Sequence, residues 1–163
     1  MKKRLVLGIA SVLLLTFLSV EEANAAGKDT YISKEVQEAC IKYGEEYNIC
    51  PELLMAMCEK ESSGRADAVN GPCKGLLQVN ENVHKERMER LGVTDLFDID
   101  SNVNVAADYL LELFEKNQDI YLVLMEYNMG GAAAERLYEQ GIYSKYSISI
   151  TERSEELERI HGK

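Results

Sequence analysis

Apolar residues return at helical spacing through most of this chain. Val36, Ala39, Cys40, Tyr43 and Tyr47 share one face of a helix that starts after Ser33, a residue suited to cap it. A second run over 51–61 sends Leu53, Leu54, Met57 and Cys58 toward a core. The pattern over 83–91 predicts a third helix, stopped by Gly92. Val103, Ala106, Ala107, Leu110, Leu113 and Phe114 predict a fourth, after a turn over 98–102. Asp119 opens a fifth, through Leu122, Val123 and Tyr127 to Gly130 and Gly131. Weaker helical patterns cover 132–139 and 152–160. Only 75–79 reads as extended, so the expected class is mainly α, with at most a short β-hairpin or turn between Gly75 and Val79.

The N-terminus follows a different rule. Lys2, Lys3 and Arg4 precede an apolar run over 5–20, and Ala23, Asn24 and Ala25 follow it. That order of charge, apolar core and small residues is the order of a secretory signal peptide over 1–25, so the mature chain is expected to start at Ala26. The run is short for a membrane span, and no later segment approaches the roughly 20 apolar residues a spanning helix needs. No stable span is therefore expected in the mature chain; an uncleaved N-terminal anchor is the alternative. Residues 26–163 fit a single domain, with no internal repeat or low-complexity segment.

Charge excludes one class of partner. The chain carries 28 acidic and 18 basic side chains, a net charge of -10, which becomes -11 without residues 1–25. Nucleic acid is not an expected partner, because phosphate binding needs a basic surface. The four cysteines, Cys40, Cys50, Cys58 and Cys73, all lie in the exported part. An even number outside the cytosol favours disulfides, and the lack of paired His ligands argues against zinc. Neither a metal nor a cofactor is expected. Cys50 stands before Pro51, where a helix would ordinarily carry a Ser, Thr, Asp or Asn cap, which suggests a bond there. Two pairings compete: Cys40 with Cys58 across a helical hairpin, or Cys58 with Cys73 beside Glu61. Either closes a loop of about 15 to 20 residues and contributes roughly 3 kcal/mol.

Three separated motifs carry the chemistry. They are Glu-Ser-Ser-Gly from Glu61, Gly-Leu-Leu-Gln-Val-Asn from Gly75, and Glu-Tyr-Asn-Met-Gly-Gly from Glu126. In this order and at this spacing they resemble the soluble lytic transglycosylase domain, a branch of the lysozyme-like fold. The stretch from Leu96 to Leu110 is similar to the family's intervening segment, and the resemblance covers about 36–146. It implies a single lysozyme-like domain of the goose-type kind. It also implies Glu61 as the catalytic residue, and a substrate cleft formed with Ser62, Gly75, Leu77, Gln78, Tyr127 and Asn128, the Tyr127 hydroxyl near the catalytic carboxyl. Leu77 stands where Met is usual and Glu126 where Ala is usual. The implied ligands are peptidoglycan glycan strands, handled by a monomer outside the cytoplasm. An envelope or secretion-machinery component is a candidate partner.

The residue types suit that reading. Glycosidic cleavage needs a carboxylic acid held neutral to protonate the leaving oxygen. Glu61 falls at a helix C-terminus, whose dipole disfavours an anion, and burial would add desolvation in the same direction. Gln78 offers an amide that both donates and accepts, suited to N-acetyl groups and hydroxyls. Glu59, two positions before Glu61, points to another side of the helix and is expected to take no part. His84 and His161 have no patterned acid and Ser partners, so a Ser-His-Asp centre fails on inventory, and His84 is expected on an exposed helix face.

Ordinary glycosidases use two carboxylates. Goose-type lysozymes carry an Asp directly after their Gln-Val, where this chain has Asn80. Lytic transglycosylases work with one acid, which protonates the glycosidic oxygen and then takes a proton from the muramic C6 hydroxyl as a 1,6-anhydro ring closes. Glu61 alone would serve both steps. The alternatives are lysozyme-type hydrolysis, with Asp67 or Glu126 as second carboxylate, and a non-catalytic glycan-binding or assembly module.

Overall fold

The computed structural model describes residues 30–163, so the signal-peptide reading falls outside the described residues. Seven helices and one small sheet follow in order. They are α1 (Lys34–Tyr47), α2 (Pro51–Ser62), β1 (Val69–Asn70), β2 (Cys73–Lys74), β3 (Val79–Asn80), α3 (Lys85–Leu91), α4 (Ile99–Lys116), α5 (Ile120–Met129), α6 (Gly131–Tyr138) and α7 (Lys145–Ile160). The fold is mainly α, as the sequence predicts. No helix of the described residues is long and apolar enough to cross a membrane.

The helix starts follow side-chain caps. Ser33 accepts a bond from the Val36 N–H at 3.3 Å, Asp98 from Ser101 at 2.8 Å, Asp119 from Tyr121 at 2.8 Å and Ser144 from Ser147 at 3.0 Å. Asp98 is thus the cap of α4, which begins at Ile99 inside the segment expected as a turn. The last helix also starts earlier than its pattern suggests, at Lys145. Cys50 makes no capping bond; Pro51, with its φ preset, opens α2 instead. Asn48, in the left-handed region at φ 53°, ends α1 and turns the chain into α2.

Helix α2 is the centre of the domain. Nine of its 12 residues are buried, including Leu54 and Met57, because α1 covers one side and α7 another. Helix α4 packs on α1 and α5, and α5 in turn on α6 and α7. Truncating Leu54 or Leu110, both fully buried, to Ala would cost about 2–5 kcal/mol. The three strands form an antiparallel sheet in the order β1-β2-β3, with Asn70 opposite Cys73 and Cys73 opposite Asn80. The segment between β2 and β3, over 75–78, is a tight turn aimed at the end of α2.

Candidate active site

Glu61 sits in the last turn of α2, at the negative end of the helix dipole. Its carboxyl is half-buried, and desolvation pushes its pKa up. Two weaker effects oppose that shift: a hydrogen bond donated by the Tyr146 hydroxyl to Glu61 Oε1, and the charge of Lys60. Tyr146 comes from the first turn of α7 and is itself raised by burial and by Glu61, so it remains a phenol. Sequence reasoning missed this residue. Strand-like alternation over 146–150 masks the helix that carries it, although Ser144 caps that helix.

Glu61 opens into a cleft of about 590 Å³. Gln78, Asn80, Glu126, Tyr127 and Asn128 line the same cleft, with Val69, Val83, His84 and Tyr109 on another wall. Of the residues the resemblance implied, Glu61, Gln78, Tyr127 and Asn128 are thus brought together. Ser62, Gly75 and Leu77 stand behind the lining. Ser62 is buried and caps the turn after α2, donating to the Cys58 carbonyl and accepting from the Arg65 N–H at 3.1 Å. Leu77 is fully buried, so what it offers the site is its backbone: its carbonyl accepts the Tyr127 hydroxyl at 2.8 Å. Tyr127 also feels the Glu61 charge, yet the hydroxyl bonded to Glu61 is that of Tyr146.

The turn over 75–78 is built to hold one shape. Gly75 has φ +74°, and a Cβ there would come within 2.2 Å of both Asn102 Nδ2 and the Leu96 carbonyl, so only glycine fits. Asn102, buried in α4, uses all its near side-chain atoms on the turn: Nδ2 donates to the Lys74 and Leu96 carbonyls, and Oδ1 accepts from the Leu77 N–H at 2.8 Å. Gln78 takes a left-handed φ of 47°, and its Nε2 donates to the Gly75 and Ala68 carbonyls. Strain at a non-glycine residue in a cleft wall is a common mark of a functional site.

Glu59, expected to take no part in the chemistry, lies outside the cleft lining and is held in the fold: Arg153 Nε donates to it at 2.7 Å, and Thr30 also bonds it. It faces α7 because the helix turns it away from the cleft, as its spacing from Glu61 requires. His84 is half-buried rather than exposed, with its ring centroid 4.5 Å from that of Tyr109. Burial and the nearby Arg87 lower its pKa to about 4, so it is neutral. Asp67 is exposed and outside the lining, whereas Glu126 is inside it. Asn80 lines the cleft with an amide whose Oδ1 accepts the N–H groups of Asn82 and Val83. Cys40 and Cys58 face each other with sulfurs 3.9 Å apart, Cys50 donates to Glu52 Oε2 at 3.1 Å, and Cys73 lies in the cleft wall. Among the described residues no group of His, Cys, Asp and Glu is arranged to hold a metal ion.

Comparison with known proteins identifies the family and the fold. Residues 38–146 match the Transglycosylase SLT domain. The chain is 31% identical to protein IpgF of Shigella flexneri over 131 residues, 73% of this chain and 86% of that protein. Its fold superposes on the X-ray structure of an inactive mutant of the lytic transglycosylase Slt from Pseudomonas aeruginosa with a TM-score of 0.57, at 17% identity over 76% of this chain. This chain spans 22% of the length of that protein.

Proposed function

We propose that this chain, which belongs to the transglycosylase SLT domain family, is an exported lytic transglycosylase that cuts peptidoglycan between N-acetylmuramic acid and N-acetylglucosamine. The observation that carries the reading is Glu61 itself: a half-buried carboxyl in a cleft, raised by desolvation and held by one hydroxyl, with an amide at Asn80. A raised pKa lets Glu61 hold its proton to higher pH than an ordinary carboxyl, as protonation of the glycosidic oxygen requires. As the C1–O4 bond breaks, that proton passes to the leaving sugar's O4. The resulting carboxylate accepts the proton of the C6 hydroxyl while O6 bonds to C1, which closes the anhydro ring and returns Glu61 to its acid form. Tyr146 stays bonded to Oε1 throughout, which leaves Oε2 to carry the proton. No water enters the balance.

The same reading places the domain over residues 26–163 after loss of 1–25, in the cell envelope or outside the cell, as a monomer. It also favours a Cys40–Cys58 disulfide, because those two sulfurs already face each other. Thiol titration of the denatured exported protein would then find two thiols fewer than the four cysteines of the chain. Glu126 keeps a second reading in play, since it puts another carboxylate in the cleft. Mass spectrometry of digested peptidoglycan decides between them. Anhydromuramic ends are expected; reducing ends, heavier by one water, would establish hydrolysis.

A further inference from the structure

Glu126 is only 5% exposed, and it lines the cleft from α5. Among the described residues no hydrogen bond or ion pair reaches its carboxylate. A buried carboxylate with no direct partner is costly, and Lys116 meets its charge only at longer range. The same carboxylate also borders a neighbouring depression of about 440 Å³, with Glu112, Lys116, Asn117, Gly131 and Glu135. The one lysine there is already bound to Glu112 at 2.5 Å. Gly131 leaves the approach open, since even a Cβ built on it would stop 3.9 Å from Glu126 Oε1. Helix α6 begins at Gly131, and a helix N-terminus favours an anion beside it. Tyr109 lines both spaces, with the Arg87 guanidinium already 5.0 Å from its ring centroid.

We infer that Glu126 forms a subsite for a primary ammonium group on the glycan ligand, next to the bond that Glu61 cleaves. The inference rests on the glycan-strand reading above and adds a preference to it. A hydroxyl or amide N–H would satisfy the hydrogen bond but add no direct counter-charge; an ammonium does both. Two parts of a peptidoglycan strand can present one: the C2 amine of a de-N-acetylated glucosamine, or the free side-chain amine of a stem peptide.

Binding to the full-length Glu61→Gln protein, which spares the ligand from cleavage, tests this. Three probes are titrated calorimetrically: a β-1,4 glucosamine tetramer at mildly acidic pH, the N-acetylglucosamine tetramer, and an N-acetylated disaccharide-peptide with its free amine. An amine-bearing probe is expected to bind about tenfold tighter than the acetylated tetramer, the ratio that corresponds to about 1.4 kcal/mol. The probe that gains identifies the source of the amine. The gain should disappear in Glu61→Gln/Glu126→Gln, with near-UV circular dichroism confirming its fold. Equal binding of acetylated and amine-bearing probes overturns the inference on the first protein alone, before any change at Glu126. So would reducing ends in wild-type digests that Glu126→Gln abolishes, since Glu126 would then activate water. Failure of every probe to bind, with intact cell wall left uncut by wild type, would instead remove the glycan reading.

Discussion

The two ends of α2 hold glutamates in opposite ways. Glu52, in the first turn, is 2% exposed and is met by His161 Nδ1 at 2.8 Å, Lys163 Nζ at 2.9 Å and the Cys50 thiol. Burial alone would raise its pKa, but the donors from Lys163, His161 and Cys50 outweigh burial and hold it at about 2. Glu61, in the last turn, is less buried yet shifts the other way, because only Tyr146 donates to it and the helix end beside it is negative. The same side chain on the same helix thus clamps the C-terminus at one end and is pushed toward its acid form at the other. What differs is the number of donors and the sign of the helix end. A carboxylate given enough partners stabilises the fold, and one left short of them is available for chemistry.

Glu61→Gln should break the comparison most severely. Cleavage should fall by roughly 10²- to 10⁴-fold or more, since one group serves as acid and then base. Stability should move in the opposite direction. The folded-state pKa of Glu61 is raised, so its contribution is present while it is protonated and is lost as pH rises through that raised value. The wild type should therefore lose thermal stability over that window relative to Glu61→Gln, and melting curves across pH would show it. Cleavage that survives in the folded variant would remove Glu61 from the chemistry.

Glu52→Gln is expected to leave cleavage per folded molecule intact and to lower stability by about 2–3 kcal/mol, read from urea unfolding. The pKa of Glu52 is depressed, so its stabilisation is present above the ordinary carboxylate range and fades as pH falls toward about 2. The difference between wild type and variant should narrow over that range. A difference that stayed constant would mean the donors do not hold the charged form.

Glu59→Gln sharpens the contrast from between the two ends. Its carboxylate takes Arg153 Nε at 2.7 Å and Nη2 at 3.1 Å, so the variant should lose about 1–2 kcal/mol while cleavage stays within a few-fold of wild type. A loss of cleavage equal to that of Glu61→Gln would show that position on α2, rather than the environment of Glu61, decides activity.

Local signals made most of the scaffold readable. Ser33 and Asp119 announced α1 and α5, and the apolar spacing of 51–61 gave the central helix with Glu61 at its end. The start of α7 was hidden because Tyr146, Ser147, Ile148, Ser149 and Ile150 alternate like a strand; packing against α2 overrides that preference. The cleft was legible where a motif named it, at Gln78, Tyr127 and Asn128. The Tyr146 bond, the Asn102 clamp and the Arg153 pair join residues far apart in the chain, and no local periodicity encodes such meetings.

Tyr146→Phe should have the smallest effect and the most diagnostic one. It removes the donor that Glu61 keeps while retaining the ring that packs α7 on α2, so the fold should lose only about 1 kcal/mol. The hydroxyl favours the charged carboxylate, and its bond is among the effects that hold the Glu61 pKa down against burial. Without it the pKa of Glu61 should rise further. The acid form then persists to higher pH, so the alkaline limb of the kcat/KM profile should move up while the rate on the plateau changes by a few-fold. This would carry Glu61 one step further from Glu52, toward a carboxyl with no donor at all. An alkaline limb that stayed in place would show that Tyr146 does not bear on the proton that Glu61 carries, and one that moved down would show that its bond favours the acid form instead.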